Sequence, residues 1–175
     1  MIARQLVARG GRQGEFPIIN YDWGVACVID TLAGRLAVQN RTVEAGEMDL
    51  LKELRDAWRT ANDPETALVM DGILADEIEH VRFANQWLKA EAARNPRVLL
   101  QVAAAIAQIR TITRAFAPEA GQTNGAGIDM DSLDREGFTP NVGDRRLAGF
   151  SDDDLKALEN AKPIATRTQH DERLS

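Results

Sequence analysis

The chain has 175 residues, of which 44% are hydrophobic and 27% charged, a balance typical of one globular domain and not of a disordered segment. Its formal net charge of −6 gives no support to binding of nucleic acids or anionic membranes, and no apolar run is long enough to span a bilayer. No secretory signal is expected, because the first residues contain arginines but no continuous apolar stretch. The single cysteine, Cys27, excludes an internal disulfide and favours a cytoplasmic location. We interpret it as a buried thiol, since apolar residues flank it on both sides.

The pattern divides the chain into an N-terminal arm (residues 1–19), a helical domain (20–116) and a loop-rich C-terminal extension (117–175). In the arm, glycines oppose a helix and the Phe16-Pro17-Ile18-Ile19 stretch favours an extended backbone. The arm is compatible with a loosely packed leader and also with a segment that docks on another chain.

The first predicted helix of the domain begins at Asn20, which has the chemistry of an N-cap, and continues to about Ala45. Beside its apolar face runs a stripe of small and polar residues, namely Ala26, Asp30, Ala33, Ala37, Asn40 and Glu44. Small residues followed by an acid at the helix end would leave room for a neighbouring helix and for a ligand. On spacing alone, a solvated glutamate at a helix end is the more common explanation of Glu44.

Gly46 is predicted to interrupt this helix, and a shorter amphipathic helix is predicted from Asp49 to Ala61. The sequence Asn62-Asp63-Pro64-Glu65 then indicates another helix start, with Asp63 as the cap and the proline in the first turn. This long helix is expected to end near Arg94.

The next helix is predicted from Pro96 to Phe116 and is the most apolar part of the chain. It contains no Asp, Glu or His, so it can add packing but no conventional metal ligand. Residues 118–131 predict a surface loop, in which Asp129 and Asp131 are expected to be solvated acids and not a calcium site.

After this loop, a short helix is predicted near residues 151–161, from Ser151 to about Ala161. The tail that follows is polar. Its histidine, His170, is expected to be exposed to solvent.

The long helix contains the stretch Asp76-Glu77-Ile78-Glu79-His80-Val81, in which Glu77 and His80 are one turn apart. The helical spacing places both beside apolar residues, so both side chains are predicted to point into the interior. A buried glutamate is costly unless it is paired. A Glu-x-x-His pair that faces the core of a bundle is how di-metal carboxylate proteins obtain two ligands from one helix. The pair alone is a weak signal, because such pairs are frequent on solvated helix surfaces.

Glu44 precedes Glu77 by 33 residues, enough for one helix to descend and the next to return. Together with His80 this gives one half of a di-metal bundle site, whose glutamates and imidazole suit iron or manganese. The second half could come from a second copy of the chain or from a partner, or the site could be incomplete. Asp30 and Glu47 are the only nearby acids that we consider as extra ligands.

The stretch from Asp76 to Leu88 resembles the last bundle helix of a bacterial ferritin-like family of uncharacterised function, with a pattern of roughly D-E-I/V-G-H-V-x-x-G-x-x-W-L/F. Three other stretches resemble the same family in the same order. Phe16–Trp23 is similar to the entry to its third bundle helix, Val43–Asp49 to its E-A-x-G-L-D end, and Pro140–Ser151 to its closing segment. The resemblance covers most of the chain, from residue 16 to about residue 158.

The resemblance implies an all-α, ferritin-like helical bundle and metal ligation by Glu44, Glu77 and His80. The chain departs from the family pattern at Glu79 and Ala84, where the family has glycine. The family's first two bundle helices, which carry the other Glu and Glu-x-x-His, have no counterpart here. We therefore expect a half-bundle that is completed in a homodimer, in a larger homo-oligomer or by a helical partner protein.

Three functions are compatible with these features. The first is an oxygen-dependent oxidoreductase with a di-iron or di-manganese site, in which Glu44 and Glu77 hold the metals, His80 is a ligand and Asp76 orients the imidazole. The second is a non-catalytic assembly or adaptor subunit that binds a partner through the face left by the missing helices. The third, iron storage, is weaker, since nothing in the sequence indicates a cage or an entry route.

Overall fold

The computed structural model describes residues 1–15, 21–116 and 140–160. Every regular element in these ranges is helical, so the predicted all-α helical bundle is confirmed. None of the described helices is long and apolar enough to cross a membrane. The elements are α1 (Ile2–Ala8), α2 (Tyr21–Val28), α3 (Leu32–Arg35), a π-helical segment (Leu36–Glu44), α4 (Ala45–Thr60), α5 (Pro64–Arg94), α6 (Val98–Phe116), α7 (Val142–Leu147) and α8 (Asp152–Asn160).

The predicted boundaries of the long helix α5 are confirmed, because local capping chemistry sets them. The Asp63 side chain accepts a hydrogen bond of 3.0 Å from the Thr66 amide, and Pro64 occupies the first turn. The short helix α8 also begins as predicted, since Ser151 Oγ accepts from the Asp154 amide while Asp154 accepts from the Ser151 amide.

Two predictions about the first helices are wrong. The helix expected from Asn20 to Ala45 is broken after Val28 and resumes at Leu32. Gly46, by contrast, does not interrupt anything, because α3, the π-helical segment and α4 form one continuous helix. A glycine lowers helix propensity by about 1 kcal/mol, and burial of the adjoining Ala45 and Met48 against α5 outweighs that cost.

The N-terminal region also differs from expectation. The arm includes the helix α1, which ends before Gly10, a residue in the left-handed region with φ of 78°. Cys27 is exposed and not buried, because Val25 of α2 and Ile29, which directly follows α2 and lies one turn after Val25, take the inward face and Cys27 points away from it. The Asn20 cap, the 118–131 loop with Asp129 and Asp131, and His170 lie outside the described residues.

The core consists of three apolar clusters that join the long helices. The small residues Ala33 and Ala37 pack with Ala84 and Leu88 of α5, so the stripe of small residues does accommodate a neighbouring helix. The short connection at residues 61–63 returns the chain so that α4 and α5 pack against each other along a second cluster, formed by Ala45, Met48, Leu51, Leu74, Val81 and Ala148. A third cluster joins α2 and the π-helical segment to α6 and contains Val25, Ile29, Val38, Ala105 and Ile109.

The C-terminal segment (residues 140–160) is anchored to this bundle by a buried ion pair that the sequence does not predict. Arg145 donates from Nη2 and Nε to the two carboxylate oxygens of Asp49, at 2.6 and 3.1 Å. The backbone N–H of Asn141 donates to the same carboxylate at 2.7 Å. Both charged side chains are less than one tenth exposed. The segment is therefore part of the folded core and not an appendage.

Two glycines of the continuous helix give a matched test of this packing. A Cβ at Gly34 would lie 2.8 Å from Ile29 Cγ2 and 2.9 Å from the Ala105 Cβ, whereas a Cβ at Gly46 would meet nothing within 4 Å. We expect Gly34→Ala to lower the free energy of unfolding by about 1–3 kcal/mol through overpacking, and Gly46→Ala to raise it by about 0.5–1 kcal/mol. Urea denaturation followed by circular dichroism measures both, and equal effects of the two substitutions would contradict the packing at Gly34.

Candidate metal centre

The three residues predicted as metal ligands lie together in the structure. Glu44 is the last residue of the π-helical segment, while Glu77 and His80 occupy successive turns of α5. One potential ligand atom from each of these side chains lies within 4.8 Å of the other two. Within the described residues, they form a group of three Asp, Glu, His or Cys side chains that lie close enough together to hold a metal ion.

The π-helical segment determines where Glu44 lies. Its wider turn buries three consecutive residues, Leu36, Ala37 and Val38, which an α-helix with one inward face would not do. Ala37 thereby contacts the α5 side of the core and Val38 the α6 side. The segment ends with Glu44 directed at α5. π-helical turns are rare, and those that are found often lie at functional sites. No residue pattern in this sequence predicts one.

The polar contacts of the group are made by side chains alone. His80 Nδ1 lies 3.1 Å from Glu77 Oε2 and 4.0 Å from Glu44 Oε2. Asn40 Nδ2 donates to the same Glu44 oxygen at 2.7 Å. Asn40 therefore fixes the orientation of the Glu44 carboxylate from one turn away on the same helix, and Glu77 does the same for the imidazole.

Burial divides the group into an inner and an outer part. The side chains of Glu44 and Glu77 are 15% and 16% exposed, whereas that of His80 is 55% exposed. The prediction that His80 points into the interior is therefore wrong. Its neighbours Asp76 and Phe83 on the same side of α5 are also exposed, since no described helix packs over that side. The two carboxylates thus lie between helices, and the imidazole closes the group at the surface.

The electrostatics of the group favour a bound cation. The pKa of Glu44 is raised above its usual value. Burial is the main cause and the nearby charge of Glu77 adds to it, while the hydrogen bond from Asn40 acts in the opposite direction. For His80, the hydrogen bond to Glu77 raises the pKa, partial burial lowers it, and the charges of Glu77, Glu44 and Asp76 raise it. The Glu44 carboxylate is thus better stabilised when a positive charge, either an imidazolium or a metal ion, lies beside it.

The group offers two kinds of donor atom. Two carboxylates supply hard oxygen ligands, and the imidazole supplies a nitrogen. The other acids that were considered do not extend the set. Asp30 and Glu47 are exposed and lie outside the group, and Glu79 pairs with Arg82 at 2.5 Å. The imidazole contacts Glu77 and not Asp76, so the structure does not supply the orienting contact predicted for Asp76.

The family model described as "Protein of unknown function (DUF455)" matches residues 1–123. The chain belongs to this family. The match includes Glu44, Glu77 and His80 but ends before the C-terminal segment of this DUF455 chain. The expectation of an uncharacterised family is confirmed, although the family description names no fold superfamily and no metal. No curated protein and no solved structure matches the chain.

Arg41 is a residue near the site whose role the sequence does not reveal. From the π-helical segment it donates to Asn85 Oδ1 of α5 at 2.9 Å and to Asp154 Oδ1 of α8 at 2.5 Å. Its guanidinium also lies 5.1 Å from the centre of the Phe150 ring. These partners are distant in the sequence, so no local signal identifies them. The role of Asn40, by contrast, could have been inferred from its position four residues before Glu44.

Proposed function

We propose that the chain is a ferritin-like metal-binding subunit that holds iron or manganese with Glu44, Glu77 and His80. The observation that supports this most is that three ligand atoms from two different helices lie within 4.8 Å of one another, with the two carboxylates mostly buried and the imidazole at the surface. Two mostly buried carboxylates in contact with one imidazole need a compensating positive charge. A divalent metal supplies that charge more completely than a proton on His80 does.

We further propose that a second copy of the chain supplies the remaining ligands. A complete di-metal bundle site combines two glutamates with two Glu-x-x-His pairs, and this chain contributes half of that set. The group opens to solvent at His80, so a second copy can approach it from that side. A twofold axis near His80 would bring two identical groups together. The exposed Phe83, one turn beyond His80, offers apolar contact area for such a dimer.

The chemistry proposed for this site is an oxygen-dependent oxidation. Iron or manganese would supply the redox capacity when bound. Glu44 and Glu77 would bind the metals as carboxylates, with Asn40 holding the Glu44 oxygen in place. His80 would release its proton and bind through a ring nitrogen, so metal binding requires the neutral imidazole. The cytoplasmic location favoured by the single cysteine is part of the same proposal.

The test is the content of iron and manganese per chain, together with the oligomer mass in solution. We expect about one metal ion per chain in a dimer, as half of a di-metal site requires. Substitution of a residue that hydrogen-bonds to a metal ligand costs about 10- to 100-fold in metal affinity, so Glu77→Ala and His80→Ala, which remove ligands, should each cost about 100-fold or more.

Glu79→Ala is the matched control for this experiment. Glu79 lies on the same helix between the two ligands, but its side chain faces solvent and pairs with Arg82. It should therefore leave metal content and mass unchanged. Native protein that retains neither metal after reconstitution would rule out the proposal, as would an equal loss in the Glu79 variant.

A non-catalytic adaptor is the second candidate function. One observation favours it: His80 and Glu77 already satisfy each other at 3.1 Å, so the pair is stable as a hydrogen-bonded polar pair. In that case the open side of α5 would be a surface for a helical partner protein. The same experiment separates the two functions, because an adaptor would show an unchanged oligomer mass and no metal in any variant.

A further inference from the structure

A cavity of about 420 Å³ lies beside the candidate metal centre, between α2 and the continuous helix that carries Glu44. Its walls are formed by Trp23, Val25, Ala26, Arg35, Gln39 and Asn40. This volume falls within the range of about 300–1,000 Å³ that is usual for small-molecule sites. The indole of Trp23 is 68% exposed and forms the outer wall, so the cavity is accessible from solvent.

The two sides of the cavity differ in polarity. The residues of α2 that line the cavity are apolar or aromatic, whereas Arg35, Gln39 and Asn40 on the opposite side are polar. Arg35 Nε donates to the Ile29 carbonyl at 2.7 Å, which holds the guanidinium in place. Within the described part of the chain, Arg35 pairs with no carboxylate. An arginine that is held in place beside an apolar wall, and lacks an acidic partner, is suited to bind a carboxylate through its remaining N–H groups.

The cavity is connected to the candidate metal centre through one side chain. Asn40 lines the cavity and donates its amide hydrogen bond to Glu44 Oε2 at 2.7 Å. A molecule in the cavity therefore lies one side chain away from a predicted metal ligand. In small-molecule sites with mostly apolar walls, the few polar side chains determine which class of ligand binds.

We propose that this cavity binds an organic carboxylate with an apolar body. The carboxylate pairs with Arg35, and the body packs against Trp23 and Val25. An amine is disfavoured by the charge of Arg35, and a neutral molecule gains no charge-assisted contact with the guanidinium. The assignment of this ligand class as the substrate rests on the proposed metal function, whereas the binding site itself does not.

The test uses the metal-free, full-length protein and isothermal titration calorimetry with 4-phenylbutyrate and its neutral analogue 4-phenylbutan-1-ol. We expect the acid to bind about tenfold or more tightly than the alcohol, because one charge-assisted contact distinguishes them. Arg35→Gln should reduce the affinity for the acid about tenfold and leave the alcohol unchanged. Arg94→Gln removes a charge from an exposed position outside the cavity and should change neither affinity.

Trp23→Ala provides a second variant that does not depend on the Arg35–Ile29 contact. Trp23 is largely exposed, so its removal should leave the fold intact and weaken both ligands alike. Equal affinity for acid and alcohol, no effect of Arg35→Gln, or no binding of either compound would each overturn the proposal. Because the titration contains no metal, failure of metal binding leaves this result unaffected, and failure of the titration leaves the metal measurement unaffected.

Discussion

Replacement of Asp49 by alanine is expected to lower the free energy of unfolding by about 3–5 kcal/mol, the usual cost of removing one partner of a buried ion pair. Asp49 accepts both hydrogen bonds of the Arg145 guanidinium and a third from the Asn141 amide. The substitution leaves Arg145 charged and less than one tenth exposed, and it leaves the Asn141 amide without its acceptor. Urea denaturation followed by circular dichroism at neutral pH measures the loss.

Asp56→Ala is the control for this prediction. Asp56 lies on the same helix and also pairs with arginines, Arg55 and Arg59, but its side chain is exposed. Its removal should have a much smaller effect, because exposed ion pairs contribute little. The double substitution Asp49→Leu with Arg145→Leu should recover most of the stability, since an apolar pair leaves no buried charge. If Asp49→Ala has no larger effect than Asp56→Ala, the C-terminal segment is not anchored in this way.

The parts of the fold that were predicted correctly depend on neighbours in the sequence. Asp63 and Pro64 set the start of α5 through a cap and a favourable backbone angle, and both effects act within one turn. The start of α8 at Ser151 and Asp154 has the same origin. In each case the residues that decide the structure are three or fewer positions apart, so the sequence pattern contains the necessary information.

The wrong predictions arise where distant packing decides the outcome. Gly46 would end an isolated helix more readily than it ends this one, because Ala45 and Met48 beside it are buried against α5. Cys27 has apolar neighbours in the sequence, yet only one face of α2 is covered. The contact between Asp49 and Arg145 joins residues that are 96 positions apart, and composition gives no hint of it.

The candidate site was predictable to a similar, limited extent. Helical spacing and separation along the chain were enough to group Glu44 with Glu77 and His80, and the structure brings these residues together. The exposure of His80 was not predictable, because it depends on which helices cover α5. The π-helical turn that directs Glu44 was not predictable either, since it results from packing against α5 and α6 at once.

The Phe150 ring lies between Arg145, which anchors the C-terminal segment to Asp49, and Arg41 of the π-helical segment. Its centre lies 5.4 Å from the Arg145 guanidinium and 5.1 Å from that of Arg41. Asn85, the α5 partner of Arg41, also donates to the Ala148 carbonyl at 2.9 Å. The position of the π-helical segment is therefore coupled to the C-terminal segment through Arg41, three residues before Glu44.

Arg41→Ala should consequently change both stability and metal affinity. We expect a loss of about 2 kcal/mol in unfolding free energy, from two charge-assisted hydrogen bonds at a partly exposed site, and a roughly tenfold weaker binding of Mn²⁺, as for other positioning residues.

The control is Arg82→Ala: Arg82 is also 33% exposed and donates to the Leu147 carbonyl, but it does not contact the π-helical segment. It should lower stability and leave Mn²⁺ affinity unchanged. Calorimetric titration with Mn²⁺ separates the two effects, and equal Mn²⁺ affinity in both variants would show that the packing of Ala37 and Val38 alone positions Glu44.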